Sequence, residues 1–576
     1  MVCPYKLKLK YLIMRKILFS VIAVLTTGSL LATGLVTNTN QSATWVRLPA
    51  RNASTGIDAV YYNPAGLMKL PNGFHFSLSN QSIWQKREVD NTYSKLNNGV
   101  YKGTVNAPLF PSVYAVYKMD KFAISFGFNP IGGGGGAEFK TGLPSFEMSP
   151  SDLVPSLASK AGVTGYKLSP YFKGSSTFLG FQGGISYKIN DMISVAAGVR
   201  YVTAKNTYDG YLNDIQLSVG GTWLPASTVL SNLSTQLTGI TGIPTKLAPA
   251  IAGGFGGQTL AVLVGAGAMT ATDKANIEAG LAAIGVPAAA IPTMTVSTIS
   301  ATVTGATPSL NDQIATINAN ASLVQNQSAS VEQTGSGFAP FFSANITPVE
   351  NLNIAIKFEM KTKLELTNKT TKDFTVGYMT KNGNVTSPQS LIPDMTKPIT
   401  MFPDGEKLRN DMPAMLTLGV DYKFSSGLKA AMGFNYYWDK GADYGHKIDD
   451  DINSSTPSVH VANNMIIGDN GFSFCGGLEY PITKKILVSG GYIWANQGVN
   501  STYQSDLNYG LGTQTYGFGA AYNITDKIQV NIGGSWTQYS QDTKIINHLL
   551  NGVNQYPTET YKKDTKLIGI GLDLSF

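Results

Sequence analysis

The chain ends on the stretch Ile568-Gly569-Ile570-Gly571-Leu572-Asp573-Leu574-Ser575-Phe576. Every second residue of this stretch is a large apolar residue, and the residues between them are small or polar. Because successive side chains of a strand point to opposite faces, the alternation predicts a strand with one apolar face. The opposite face of that strand is narrow and polar.

The same alternation recurs along most of the chain after residue 73, for example over 352–360, 416–424 and 528–536. A soluble β-sandwich also alternates in this way, but its aromatic residues need not cluster at the strand ends. Here they do, as in Tyr436-Tyr437-Trp438 and in Tyr492 with Trp494. Such clusters are typical of the aromatic girdles of outer-membrane barrels.

The alternating segments predict an all-β fold, a 14-stranded antiparallel transmembrane β-barrel. Six of the thirteen connections between them are tight turns, such as 118–120 and 425–426, and these alternate with long loops. Short periplasmic turns, long outer loops and an even strand number predict that both termini lie in the periplasm. The predicted strands are 74–90, 107–118, 121–130, 174–189, 193–210, 334–346, 351–369, 411–424, 427–440, 469–480, 485–497, 512–523, 527–541 and 559–576.

The composition agrees with a barrel and excludes several other classes. Charged residues make up 14% of the chain, against roughly 25% in soluble proteins. The mean hydropathy of −0.01 is too low for a helical membrane protein. The formal charge is +7, but the basic residues are scattered and form no recognition motif, so no nucleic-acid partner is expected. Cys475 is the single cysteine after the export signal, so no intramolecular disulfide is expected.

The start of the chain carries an export signal. Met14-Arg15-Lys16 precedes an apolar run from Ile17 to Leu25, and small residues follow. This arrangement is typical of a secretory signal peptide, and its apolar run is short for a membrane-spanning helix. We therefore expect residues 1–42, an upstream extension and signal peptide, to be removed, with cleavage near residues 33–43. A single N-terminal anchor helix is the alternative.

One long outer loop, 211–333, is rich in Ala, Thr, Ser and Gly and contains no Arg. Parts of it read as helix, notably 273–284 and 309–320, and Pro287, Pro292 and Pro308 are expected to interrupt it. A disordered tract would need more charge and less apolar content, so an apolar outer cap is the preferred interpretation.

The segment Arg51–Leu67, which contains Asn63-Pro64-Ala65-Gly66, directly precedes the first predicted strand. It resembles the N-terminal hatch of the FadL/TodX family of outer-membrane transporters of long-chain fatty acids and other hydrophobic compounds. A fourteen-strand barrel also needs a filler, because its wall side chains cannot fill the lumen. We expect a hatch over 43–73, with Asn63, Pro64, Ala65 and Gly66 as its gate, and a barrel over 74–576. A plain periplasmic linker is the alternative.

The resemblance implies uptake of long-chain fatty acids or similar hydrophobic compounds across the bacterial outer membrane. It also implies contact with outer-membrane lipids and with the barrel assembly machinery, for which the terminal Phe576 would be the assembly signal. A general porin-like channel and a surface adhesin without transport stay open as alternatives.

An acidic ligand would need a cation in the lumen, and strand parity points Arg200, Lys357 and Lys361 inward. Each is also explained as an ordinary wall cation paired with a carboxylate, such as Glu359 beside Lys357. No enzyme activity, cofactor or metal is expected, because His75, His446, His460 and His548 show no ligand spacing and no catalytic constellation is visible. Glycines 132–136 lack the Lys-Ser/Thr of a phosphate loop and are interpreted as a flexible outer loop.

Overall fold

The computed structural model describes residues 35–380, 393–445, 447–448, 459–460 and 466–576. The predicted export signal and His446 lie outside the described residues. No helix in these ranges is long and apolar enough to cross a membrane.

Fourteen strands form one closed antiparallel barrel, which confirms the predicted fold class. Each strand pairs with its neighbours in chain order, and the last strand returns to the first through register pairs from His75–Ser575 to Asn91–Glu559. The strands are β1 Gly73–Asn91, β2 Val100–Lys118, β3 Phe122–Phe139, β4 Val163–Lys188, β5 Ile193–Val219, β6 Gln327–Val349, β7 Leu352–Glu359, β8 Met415–Lys423, β9 Lys429–Tyr437, β10 Phe472–Pro481, β11 Ile486–Asn496, β12 Thr513–Thr525, β13 Ile528–Tyr539 and β14 Thr558–Ser575.

The alternation read from the sequence sets the two faces of the wall. In β1, Phe74, Phe76 and Leu78 are exposed on the outside, whereas Ser77 and Ser79 are buried inside. Large apolar side chains that face outward on a barrel are typical of contact with lipid. The polar odd-numbered face of β1 is therefore the lumen face.

Several strands are longer than the sequence predicts at the barrel end opposite the chain termini, which we call the outer end. β2 starts at Val100, β4 starts at Val163 and β5 continues to Val219. In β2 the outward residues of this extension, such as Lys102 and Thr104, are polar, whereas inward residues such as Val105 are apolar and buried. The extensions therefore lack the apolar outward face that identifies a lipid-facing strand. Short strands extend the wall further, at Glu365–Lys372, Lys407–Arg409 and Asp542–Ile545, and small hairpins at the outer end join Thr375–Thr380 to Pro393–Thr400, Lys447–Ile448 to Val459–His460 and His548–Leu550 to Val553–Gln555.

Glycines 132–136 are not an outer loop, and that prediction was wrong. They lie within β3, where the register against β4 shifts between Pro130 and Gly132 and again between Gly132 and Gly135. Glycine favours such irregular places because a backbone without Cβ adopts conformations that other residues avoid. Gly133 has a φ of 92°, which a residue with a side chain rarely adopts.

The predicted loop 211–333 is a helical insert between β5 and β6, and its two ends belong to strands. We define the insert as residues 226–323. Most of its buried apolar side chains form a separate core, which includes Leu263, Leu281 and Val303. Its first helix also packs through Leu230 on Leu217 and other residues of β4 and β5. Pro308 does not interrupt it, because it lies inside the last helix. The helices are Ala226–Thr241, Ile243–Ala250, the π-helix Ile251–Phe255, Leu260–Gly265, Ala271–Ala283, the 3-10 helix Ile291–Thr293 and Val296–Leu323.

The segment from residue 35 to residue 70, which we call the plug, lies inside the barrel. It contains the short helices Ala43–Arg47 and Ala59–Tyr62 and the 3-10 helix Pro64–Lys69. Residues 35–42, assigned above to the removed segment, are buried there, and Thr37 forms a bridge with Gly132 of β3. Outside the barrel mouth, the helix Pro144–Ala161 and the 3-10 helix Asp439–Gly441 belong to the outer loops.

Candidate functional site: the plug and the lumen around it

The plug is attached to the lumen wall by hydrogen bonds from both its backbone and its side chains. Its first residues lie alongside β3, where the backbone amide of Asn38 donates to the Ile131 carbonyl at 2.8 Å. Its first helix begins at Ser42, whose hydroxyl accepts from the Trp45 amide at 3.0 Å. Ser42 is therefore the N-cap of this helix, because its side chain bonds a backbone amide that has no acceptor within the helix.

The predicted gate residues form one set of contacts between the plug and the wall. The Asn63 side-chain amide donates to the Ser54 carbonyl at 3.1 Å and to Asn345 Oδ1 on β6 at 2.7 Å. The Asn63 side chain therefore joins another part of the plug to strand β6.

The neighbours of Asn63 bond the wall through their backbone. Ser186 of β4 donates to the Pro64 carbonyl at 2.7 Å, and Ser194 of β5 donates to the Ala65 carbonyl at 2.8 Å. The Ala65 amide donates to Ser343 Oγ on β6 at 3.0 Å. Gly66 has no room for a side chain, since an added Cβ would stand 2.4 Å from Asn63 Nδ2 and 2.5 Å from the Ser54 carbonyl.

A buried ion pair holds the plug to itself. The Arg51 guanidinium donates to both carboxylate oxygens of Asp58, at 2.9 Å and 2.6 Å, and Ser42 and Ser54 donate to the same carboxylate. Burial alone would raise the pKa of Asp58, but the charge of Arg51 and these hydrogen bonds outweigh it, so the pKa lies below its usual value. The carboxylate therefore remains ionised inside the barrel.

Two of the three predicted head-group cations meet at the plug. Arg200 and Lys357 both pair with the carboxylate of Glu359, and Lys357 Nζ donates to the Tyr61 carbonyl at 2.7 Å. The guanidinium of Arg200 lies 5.0 Å from the centre of the Tyr61 ring. Lys361 does not join them: its Nζ donates to the Gly441 carbonyl at 2.7 Å, near Asp411. The wall-cation interpretation therefore describes all three residues.

Sequence reasoning missed a second set of contacts between the plug and the wall. Arg47 pairs with Glu479 of β10 and donates to Ser489 and Asn531. Inward-facing glycines are the one sequence signal that could have indicated where the plug approaches the wall. A Cβ at Gly419 would stand 2.4 Å from the Ala53 amide nitrogen, so the wall can approach the plug only without a side chain there.

A small cavity of about 10 Å³ lies between the plug and strands β7 to β11. Apolar side chains line most of it, and Lys357 and a few amide and hydroxyl groups supply polar atoms. A cavity of this size has room for about one water molecule, so a larger ligand would bind here only after the plug moves. The lining residues are Thr39, Trp45, Pro49, Asn52, Tyr61, Tyr62, Lys357, Met415, Thr417, Asn435, Cys475 and Ile493.

One continuous apolar cluster joins the outer loops to the plug. At its outer end Phe402, Tyr444 and Leu507 are buried, and at its inner end Val60 and Leu67 of the plug are buried. A path of apolar side chains therefore runs from the outer mouth to the plug, beside the polar residues of the lumen wall.

The remaining predicted residues lie apart from the plug. His75 is buried near the first turn, between Ser575 Oγ and the Pro71 carbonyl, and His548 contacts Asp152. In the ranges that the structure covers, no group of three or more His, Cys, Asp and Glu residues is placed to hold a metal ion. The side chain of Phe576 is exposed, and its backbone amide donates to the Phe74 carbonyl at 2.8 Å.

Comparison with known proteins gives a fold likeness. No protein-family model matches the sequence, and no curated protein matches it. Among solved structures, a FadL homologue of Pseudomonas aeruginosa is 13% identical, with a TM-score of 0.53, over 95% of this chain and 100% of that chain. The toluene transporters TodX of P. putida and TbuX of Ralstonia pickettii are each 13% identical, with TM-scores of 0.45 and 0.44. They match 91% and 92% of this chain and 95% and 98% of their own chains. The fold resemblance read from the sequence is thus confirmed by the first of these structures.

Proposed function

We propose that this protein carries hydrophobic compounds inward across the bacterial outer membrane, through a barrel whose plug must move to open a path. The observation that carries the proposal is the apolar cluster that runs from the outer loops to the plug. A general porin needs a polar, water-filled lumen, and an adhesin needs no plug. A hydrophobic molecule that leaves a membrane or micelle exposes apolar surface to water, and an apolar path buries that surface again.

Long-chain fatty acids are the substrates that we propose within this class. The small cavity beside Trp45 and Ile493 has apolar walls and Lys357 at its edge, and movement of the plug would enlarge it. Glu359 already neutralises much of the charge of Lys357, so a neutral hydrophobic compound suits the enlarged site as well. The residues described here therefore support hydrophobic transport more strongly than they support one substrate.

A reversible disulfide between the plug and the wall tests the proposal. The Ala65 amide and Ser343 Oγ lie 3.0 Å apart, so the double variant Ala65→Cys/Ser343→Cys should form a disulfide between plug and wall. We expect the oxidised variant to take up labelled oleate and toluene much more slowly than the wild type, and a reductant to restore uptake. Each single cysteine variant is the matched control.

Two outcomes would contradict the proposal. Equal uptake by the oxidised and reduced double variant would show that the plug does not gate the path. Equal uptake of both compounds by cells with and without the protein would exclude transport altogether.

A further inference from the structure

Two buried cations face each other across the strand pair that closes the barrel. Arg87 of β1 and Lys563 of β14 are register partners, and both point into the lumen. They are 7% and 8% exposed. Like charges at directly opposite positions of neighbouring strands repel each other, and burial removes the water that would screen them.

No carboxylate of the described residues forms an ion pair with either cation. The acidic neighbours on β1, Glu88 and Asp90, point to the outer face, where both pair with Lys562. Glu559, two lumen positions away from Lys563 on β14, bonds Asn91 and Tyr561 instead. The four plug-site cations differ in this respect, since Arg47, Arg51, Arg200 and Lys357 each face a carboxylate.

The contacts that the two side chains do make leave donors free. Among the described residues, the Arg87 guanidinium makes one hydrogen bond, from Nε to Gln85 Oε1 at 2.7 Å. Lys563 Nζ donates to the Tyr509 carbonyl and lies 4.2 Å from the centre of the Tyr509 ring. A guanidinium has five N–H groups and an ammonium has three, so most of these donors have no protein acceptor here.

The pair lies at the outer mouth of the barrel, beyond the lipid-facing part of the wall. Trp84 is the last large aromatic residue on the outer face of β1, and the outward residues next to Arg87 are Lys86 and Glu88. The apolar and aromatic side chains of Val89, Tyr509, Leu511 and Tyr561 form a small cluster beside the pair. A molecule that enters from outside meets these residues before it meets the plug.

We propose that Arg87 and Lys563 form an oxyanion-binding site at the outer mouth. Its ligand is a carboxylate or phosphate group, either on the head of an amphiphile or free in solution. The anion would lie between the two cations, accept their unused N–H groups and remove their repulsion. If the anion is the head group of a transported amphiphile, this is the first site that binds the amphiphile on its way to the plug. That part of the inference rests on the proposed function.

The test measures binding to the purified full-length barrel by titration calorimetry in a non-ionic detergent. The probes are dodecanoate, dodecanol, acetate and inorganic phosphate. We expect saturable dodecanoate binding that weakens with salt, and at least about a tenfold loss of affinity in Arg87→Met/Lys563→Met, since charge-assisted hydrogen bonds are lost. Lys562→Gln, on the outer face of the same strand, should bind dodecanoate like the wild type.

A second variant guards against misfolding of the first. Lys563→Glu places a carboxylate opposite Arg87, so it should fold without difficulty, resist heat at least as well as the wild type and lose dodecanoate binding. Competition by acetate or phosphate at similar concentrations would identify a free anion as the ligand, whereas weak competition would identify an amphiphile; both support the site. Unchanged dodecanoate affinity in both variants, or an equal loss in Lys562→Gln, would overturn it.

Failure of this inference is separable from failure of the proposed function. If uptake of toluene depends on the wild-type protein while dodecanoate affinity is the same in all variants, the proposed transport is supported and the oxyanion site is excluded. If no hydrophobic compound depends on the protein for uptake, transport falls whatever the calorimetry shows.

Discussion

The plug and the insert are both irregular segments added to the same barrel, and they are held in opposite ways. The plug is joined to the wall by polar side chains, such as Asn63 on Asn345 and Arg47 on Glu479. The insert packs mainly on itself, with Leu263 and Leu281 in a core of its own, and only its ends pack on β4 and β5. A segment held by many directional bonds can detach as a unit and dock again, whereas a segment with its own core stays folded wherever it stands.

Removing each segment in turn should give the largest contrast. Deletion of residues 45–70 removes most of the filler from a wide lumen, so we expect a large conductance in planar bilayers. Replacement of residues 226–323 by a short Gly/Ser linker should leave the conductance low, because the insert core is separate from the plug. Wild-type conductance and oleate uptake after the first deletion would reduce segment 43–73 to a linker.

Breaking the ion pair of the plug should be the next largest effect. Asp58→Asn leaves Arg51 buried with a neutral partner, and breaking a buried pair in this way costs about 3–5 kcal/mol. We expect a leak of small ions in bilayer recordings while the barrel still shows heat-dependent gel migration. Lys407→Gln, which breaks an exposed pair with Glu365, is the control and should not leak.

A cavity in the insert core should destabilise the insert and leave transport intact. Leu281→Ala removes a fully buried side chain, and such changes cost about 2–5 kcal/mol. Limited proteolysis should cut the insert faster, with oleate uptake unchanged. Val262→Ala, at an exposed position of the same insert, should show neither change. Slower uptake in Leu281→Ala would mean that the insert and the plug are coupled.

The gate residue Asn63 should give a smaller effect than the ion pair. Asn63→Ala removes bonds to Ser54 and Asn345 and leaves a buried amide without its partner, at about 1–3 kcal/mol. We expect altered oleate uptake or a slight leak, with normal assembly. Gly66→Ala should act in the same direction, because its Cβ would displace Asn63. Thermal denaturation followed by circular dichroism checks that the wall is intact.

Acid should loosen the plug before it affects the insert. The pKa of Asp58 lies below its usual value of about 3.9. Its contribution to docking is therefore complete above about pH 4 and is lost as the pH falls through the lowered pKa. We expect a leak that begins only below about pH 4 in the wild type. Asp58→Asn should leak at every pH, so a wild-type leak that begins near neutral pH would contradict this assignment.

The sequence by itself determined the barrel. Alternation such as that of 568–576 predicts which face meets lipid, and the turns set the strand number, because lipid contact imposes a strict period of two. The outer strand ends, as at Val100 and Val163, were not predicted, because their outward faces carry polar residues and do not contact lipid. The fate of Phe576 in assembly and the removal of residues 1–42 stay predictions.

Only the tertiary structure decided which lumen cations are neutralised. Strand parity pointed Arg200, Lys357 and Lys361 inward, but the ion pairs that occupy them involve neighbouring strands and the plug. Arg87 and Lys563 stand 476 positions apart in the sequence, and only the closure of β14 on β1 brings them face to face. Local patterns record the period of a strand, whereas charge pairing depends on which strands become neighbours when the barrel closes.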